Sequence, residues 1–298
     1  MPHSEEHLLA KSRDYVWNDD FLAQMAKRLK LKSCSNILDV GAGIGHWTKK
    51  IAKLVAKNAN IYALYQEPQW TQKSLETIPN KKATQNFQFI NGNVYNLPFE
   101  DNYFDLTTCQ TLLLHLANPL LALKEMLRVT KSGGLILLSE PENFKNYFYY
   151  DNLNKNRLVE DILAMAKFWI LFERGKIIHA LGNNSPCSYL LFQLAKLNVT
   201  NINIYQNDKV QTLYPPYNTI EQQILIEELK VNLARFSEPE QYQIAQNFYL
   251  AGGGSIAEFK ATLEIIKTDI LKCLKAIEDK EYANVTGLAV NLISAQKL

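Results

Sequence analysis

No strong charge of either sign runs through this chain. Its 298 residues carry 32 Lys and Arg against 30 Asp and Glu, a formal net charge of +2. That balance supplies no field to draw the chain to nucleic acid or a membrane surface, and neither partner is expected. Cysteine is sparse: Cys34, Cys109, Cys187 and Cys273 lie far apart, with no C-x-x-C pair. Neither a zinc site nor a disulfide framework is indicated; no metal is expected, and the thiols read as reduced and buried. No apolar run approaches the roughly 20 residues of a membrane helix. The opening residues Met1–His7 are polar and lack an apolar signal core, so a soluble, cytoplasmic protein is expected. There is no repeat and no low-complexity tract.

What is present is a large apolar fraction, 47%, enough for a substantial core. Glycine totals twelve, and three of these stand on alternate positions in Asn36-Ile37-Leu38-Asp39-Val40-Gly41-Ala42-Gly43-Ile44-Gly45. This reads as a buried strand ending in an acid and breaking into a tight glycine turn, with a helix beginning near His46. Glycine suits backbone that must reach positive φ or lie against a ligand without a Cβ between. A strand–turn–helix unit at the carboxyl edge of a parallel sheet is where α/β proteins bind nucleotide-like ligands. The G-x-G-x-G spacing is not G-x-G-x-x-G, which argues against a dinucleotide pyrophosphate.

Helical periodicity covers residues 5–30. Strands are expected at Ile37–Leu38-Asp39-Val40, Ile61–Leu64, Phe87–Ile90, Asp105–Cys109 and Leu135–Ser139, with helices from 46 to about 57, from Trp70 to Thr77 and from Pro119 to Val129. Lys131-Ser132-Gly133-Gly134 reads as a turn. This alternation specifies a parallel sheet with helices on both faces. After Glu140 it stops. Residues 143–183 are aromatic-rich and helical in pattern, Pro186–Leu197 is a helix, and Asn201–Tyr205 and Gly287–Ser294 read as strands. Residues 211–284 are rich in helix formers. The expected division is 1–142 as an N-terminal helix and α/β core, 143–183 as a helical insertion, 184–210 as core, 211–284 as a second insertion and 285–298 as a final core strand.

A ligand lying across the sheet edge is touched by successive loops. Tyr65-Gln66-Glu67 follows the second strand, where nucleoside sites commonly place an acid that accepts from both ribose hydroxyls. Gly92-Asn93-Val94 follows the third, where a side-chain amide can meet an adenine amino group and the next N–H a ring nitrogen. Cys109-Gln110-Thr111 follows the fourth, where carbonyl oxygens can face a cation.

The segments Asp39–Gly45, Asn96-Leu97-Pro98-Phe99-Glu100-Asp101-Asn102-Tyr103-Phe104-Asp105-Leu106 and Leu127-Arg128-Val129-Thr130-Lys131-Ser132-Gly133-Gly134, in this order and spacing over about residues 15–142, resemble a class I S-adenosylmethionine-dependent methyltransferase. The likeness is to the small-molecule branch with a methyltransferase 11-type domain. It implies a Rossmann-like seven-stranded sheet with a final antiparallel hairpin, a mostly helical cap from the two insertions, and S-adenosyl-L-methionine as cofactor. It further implies that Asp39 orients the turn and the methionine ammonium, and that Gly41, Ala42, Gly43 and Gly45 let the backbone pass the methionine and ribose. Asn93 and Val94 would meet adenine, and Gln110 with Thr111 the methionine amino group. The departure is Tyr65, where the family usually holds an acid: either Glu67, beside Gln66, takes over the ribose, or cofactor affinity is reduced, or catalysis is lost.

No catalytic residue stands out. His115, on the apolar loop Leu113-Leu114-His115-Leu116, is either structural or a general base. Glu142 and Asn143 follow the fifth strand and are candidates to position an acceptor, with plain surface-loop roles as the alternative. Tyr147, Tyr214 and Tyr217 are candidates for substrate contact, and Trp47 for the core. The expected function is methyl transfer to O, N or C of a small, largely apolar acceptor. The alternatives are a catalytically silent binding protein or partner subunit with this fold, and a tRNA or protein methyltransferase.

Overall fold

The computed structural model describes residues 15–66, 85–146, 151–287 and 289–298. They form two compact units: one drawn from residues up to Pro141, Ser185–Asp208 and Val290–Leu298, the other from Glu142–Asn184 and Lys209–Ala289.

The first unit is built on a seven-stranded sheet. Its strands are β1 (Asn36–Val40), β2 (Asn60–Tyr65), β3 (Asn86–Asn91), β4 (Phe104–Gln110), β5 (Thr130–Pro141), β6 (Val199–Gln206) and a last strand, Val290–Lys297, numbered β9 by chain order. The order across the sheet is β3-β2-β1-β4-β5-β9-β6. β1 pairs in parallel with β2 and β4, whereas β9 runs antiparallel to both β5 and β6. In β1 the residues from Ile37 to Val40 are all buried, as a strand flanked on both sides and covered on both faces requires. The final antiparallel strands read from the resemblance are therefore present.

The helices of this unit are α1 (Asp19–Arg28), α2 (His46–Leu54), α3 (Pro119–Val129) and α5 (Cys187–Leu194). α3 starts where the sequence says it should. Asn118 caps it by accepting the Leu121 N–H at 3.4 Å, and Pro119 occupies the first turn, where no N–H is needed. Its Ala122, Leu123, Met126 and Leu127 pack with Leu190 and Leu194 of α5 against Leu38, Ile136 and Ile293 of the sheet. Arg128 ties this layer to the loop before β4, donating to the carbonyls of Leu97 and Phe99 and to Glu125 and Asp101.

Two boundaries differ from expectation. β5 begins at Thr130, because Thr130 pairs with Phe104 before a register shift carries the ladder to Leu135 opposite Leu106. The Lys131–Gly134 turn is thus an irregularity inside a strand. The first described helix begins at Asp19, and the helix expected at Trp70–Thr77 lies outside the described residues.

The second unit contains α4 (Val159–Ile178), the short strands β7 (Gln211–Leu213) and β8 (Asn284–Thr286), and helices α6 (Ile220–Arg235), α7 (Pro239–Ala251) and α8 (Ile256–Glu278). Capping boxes start α6 at Thr219/Gln222 and α8 at Ser255/Glu258. Phe168, Tyr249, Phe259, Leu263 and Ile266 form one of its cores. Arg157 forms a second anchor, donating to Asp151 at 2.9 Å and to Asp269 at 2.5 and 3.0 Å, while the Tyr282 hydroxyl also reaches Asp151. Replacing Arg157 with Met leaves the fully buried Asp151 carboxylate without its cation. A loss of about 3–5 kcal/mol in urea unfolding is expected; a change under about 1 kcal/mol would show the cluster to be inessential.

All four cysteines are buried and none forms a disulfide. Among the described residues no helix is long and apolar enough to cross a membrane, and no cluster of His, Cys, Asp and Glu could hold a metal ion.

Candidate functional site

The carboxyl edge of β1 and β4 gathers the residues with the clearest chemistry. The chain leaves β1 through three glycines with positive φ, Gly41 at 72°, Gly43 at 56° and Gly45 at 86°. That conformation disfavours any side chain with a Cβ. The N–H groups of Gly41 and Ala42 both donate to the Leu64 carbonyl at 2.9 Å, pinning the turn to the end of β2. A Cβ on Gly41 would stand 2.7 Å from Leu112 Cδ1, so the turn and the loop after β4 are in direct apposition.

Asp39 lies under this turn, fully buried. Its Oδ2 accepts the Thr48 hydroxyl of α2 at 2.5 Å, while its Oδ1 has no partner among the described residues. Burial pushes its carboxyl from the ordinary 3.8 up to about 7, against the opposing pull of Thr48. A half-satisfied buried carboxylate is costly unless something else completes it. Trp47, beside Thr48, is buried and donates to Thr108 Oγ1 at 2.9 Å; it is a core residue.

The β2 end is different. Tyr65 turns its ring inward, 2% exposed, stacked on Phe89 at 6.1 Å and packed with Ala42 and Ile44 of the glycine turn. It buttresses the turn from below and presents no carboxylate. Its carbonyl accepts the Gly92 N–H at 2.8 Å. Gln66 is exposed, and Glu67 lies outside the described residues. After β3, exposed Asn93 accepts the Tyr95 N–H on its Oδ1 at 2.9 Å, a local side-chain turn, while Val94 is buried in the sheet core.

After β4, Gln110 ends the strand and Thr111 takes φ of 49°, its N–H donating to the Ser139 carbonyl at 2.9 Å. A single 3-10 turn follows, Leu113–His115. His115 is half-buried, and its backbone N–H closes that turn onto Leu112. Glu142 and Asn143 belong to the helical unit, where their N–H groups donate to the carbonyls of Ala289 and Asn184. There Tyr214 is 54% exposed. Tyr217 is instead a core residue, a correction to its reading as a substrate contact. Its hydroxyl donates to the Tyr282 carbonyl at 2.7 Å and its ring packs with Leu213, Ile226 and Ile277. Tyr147 lies outside the described residues.

Sequence reasoning passed over Glu140. It is fully buried near the end of β5, and its carboxylate receives the N–H groups of Leu112, Leu113 and Leu114. The sole sequence signal was an acid closing the apolar run Leu135–Ser139. Thr48 was likewise missed, because nothing local marks it as the partner of Asp39.

A mostly parallel sheet whose penultimate strand in space is reversed, carrying a glycine turn over a buried acid at the end of β1, is the fold of the class I S-adenosylmethionine-dependent methyltransferases. Residues 38–138 match the family model described as a methyltransferase domain. A demethylmenaquinone methyltransferase of Staphylococcus saprophyticus is 35% identical over 118 residues, which are 39% of this chain and 49% of that protein. Another from Geobacillus is 29% identical over 143 residues, 46% of this chain and 59% of the relative. The chain thus spans about half the length of the curated relatives it matches. A candidate methyltransferase from Bacillus halodurans has the same fold, with a TM-score of 0.52 at 18% identity, covering 93% of this chain and 99% of that one. The YcgJ protein of Bacillus subtilis is comparable, at 0.50 and 16%, over 94% and 99%.

Proposed function

We propose that this protein transfers a methyl group from S-adenosylmethionine to a small, largely apolar acceptor. The observation that carries the reading is the unpartnered Oδ1 of Asp39, buried beneath three positive-φ glycines. A cationic ammonium completes that carboxylate, and the glycine turn leaves room for the backbone to lie along the ligand. S-adenosylmethionine, when bound, supplies an electrophilic methyl on a sulfonium sulfur. The chain's own contribution is binding and alignment: Asp39 and the glycine turn hold the methionine end, Gln110 and Thr111 present backbone beside it, and Asn93 with Val94 face the adenine. Holding the acceptor's lone pair in line with the methyl, in a site poor in water, supplies much of the rate. The proton lost by the acceptor passes to solvent or to a base such as His115.

The relatives named demethylmenaquinone methyltransferases support an aromatic or quinone-like acceptor, and the near-neutral charge supports a small molecule over tRNA. The inward Tyr65 favours a second reading, a silent binding subunit that keeps the fold, because that position offers the ribose no acid. Calorimetry with S-adenosylhomocysteine at pH 6.5 separates them. Binding there is expected to release a proton, since an ammonium at Oδ1 draws Asp39 to its ionised form. The apparent enthalpy should therefore differ between buffers of unlike ionisation heat. Absence of binding at millimolar ligand would sink the enzyme reading. Binding without turnover of any apolar phenol, quinol or amine would favour the silent subunit.

A further inference from the structure

The loop between β4 and α3 has an unusual anchor. Glu140 Oε1 accepts the N–H of Leu112 at 3.0 Å and of Leu113 at 2.8 Å, and the Cys109 thiol lies 3.7 Å from the same oxygen. Glu140 Oε2 takes the Leu114 N–H at 3.4 Å. Three consecutive backbone donors at the start of a 3-10 turn thus converge on one carboxylate that no Lys or Arg pairs with among the described residues, in a place shielded from water. Such a group is costly to bury, so its hydrogen bonds hold the loop stiffly. One residue upstream the chain is already pinned, with the Thr111 N–H on the Ser139 carbonyl, and Thr111 itself is forced to positive φ. The Leu112 side chain meanwhile lies against Gly41.

We propose that Glu140 is a positioning residue for the cofactor site: its carboxylate sets the loop after β4 at the height where Gln110, Thr111 and Leu112 form a wall against the glycine turn. It touches neither cofactor nor acceptor and acts through Leu112 to Leu114. The assignment rests on the methyltransferase reading, in which this wall faces the methionine portion while the ends of β2 and β3 face the adenosine. Displacing the wall therefore weakens what binds beside β4 and leaves what binds beside β2 and β3.

Wild-type protein, Glu140→Gln and Glu140→Met are compared by calorimetry with S-adenosylhomocysteine and by ligand-observed NMR with adenosine. Glutamine keeps an amide oxygen for Leu112 and Leu113 but turns a donor toward Leu114. Its S-adenosylhomocysteine affinity should fall about three- to tenfold, and that of Glu140→Met about tenfold to a hundredfold, as expected for one and three buried donors left unpaired. Adenosine affinity should stay within about twofold for both, since none of the lost bonds lies at the adenosine end. Amide hydrogen exchange should accelerate at Leu112 to Leu114 before it does elsewhere. Unchanged S-adenosylhomocysteine affinity in Glu140→Gln with normal exchange would overturn the assignment, and so would equal loss for both ligands, the mark of a general structural role. Should Glu140→Met not fold, the glutamine variant decides alone. Wild-type protein that binds neither ligand would remove the methyltransferase reading, and this assignment with it.

Discussion

Asp39→Asn is expected to make the protein more stable at pH 8 and to weaken its hold on S-adenosylhomocysteine. Both effects come from the same carboxylate. Burial raises the Asp39 carboxyl from 3.8 to about 7, so the folded state prefers the protonated form that the unfolded chain gives up near pH 4. A group raised in this way contributes its stability fully below the unfolded value, and that contribution is lost as the pH climbs through 7. At pH 8 the ceiling of this loss is roughly 4 kcal/mol. Asparagine has no proton to lose and is nearly the same size, and its Oδ1 still accepts from Thr48. It also buries an amide with an unmet donor, which takes back part of the gain. A net increase of about 1–3 kcal/mol at pH 8 is therefore expected, shrinking toward zero at pH 4. Binding moves the other way, because the amide nitrogen that takes the place of Oδ1 is a donor and the charge-assisted bond to the ligand ammonium is lost: about 10- to 100-fold in affinity. Urea unfolding at the two pH values, with calorimetry at pH 8, reads both. A variant less stable at both pH values, or one that binds as tightly as the wild type, would remove the role given to Oδ1.

Gly175→Ala should be among the most damaging single substitutions in the helical unit. α4 and α7 cross there with backbone against backbone: a Cβ on Gly175 would stand 1.7 Å from the Phe248 carbonyl oxygen and 2.5 Å from its carbon. The crossing is double, because a Cβ on Gly252 would meet the Leu171 carbonyl oxygen at 2.0 Å. Main chain cannot swing aside as a side-chain tip can. The helices must separate, and Phe168 and Tyr249, which pack across this contact at 5.3 Å, lose their fit. Alanine's better helix propensity returns about 1 kcal/mol, while the forced separation costs more than ordinary overpacking, on the order of 4–5 kcal/mol. A fall in melting temperature of at least about 8 °C is expected. Gly287→Ala, where an added Cβ meets nothing within 4 Å, serves as the control and should be nearly silent. Equal melting temperatures for Gly175→Ala and the wild type would show that the two helices part freely.

The sheet domain was legible because its signals are local. Ile37 to Val40 is an unbroken apolar strand closed by glycines, and Asn118-Pro119 announces α3, since caps and turns are decided by a few neighbouring residues. The irregular start of β5 was not legible, because Thr130 enters the ladder through its partner Phe104, which is 26 residues away. Within the site, Gly41, Gly43 and Gly45 declared themselves by spacing, and Asp39 by its place before them. Tyr65 was legible as a departure, but its ring's direction was not. Whether a tyrosine at a strand end faces ligand or core depends on Phe89, Ala42 and Ile44, which only the folded sheet brings beneath it.

The sequence by itself determined the class of fold and the edge at which the ligand loops gather, because strand period, glycine spacing and helix caps are properties of short stretches of chain. Tertiary structure alone decided which carboxylates are engaged. It leaves one oxygen of Asp39 open and gives Glu140 three amides from another strand's loop, and it puts the Tyr217 hydroxyl on a carbonyl 65 residues further on. Those assignments depend on burial and on partners distant in the chain, and neither has any trace in local sequence.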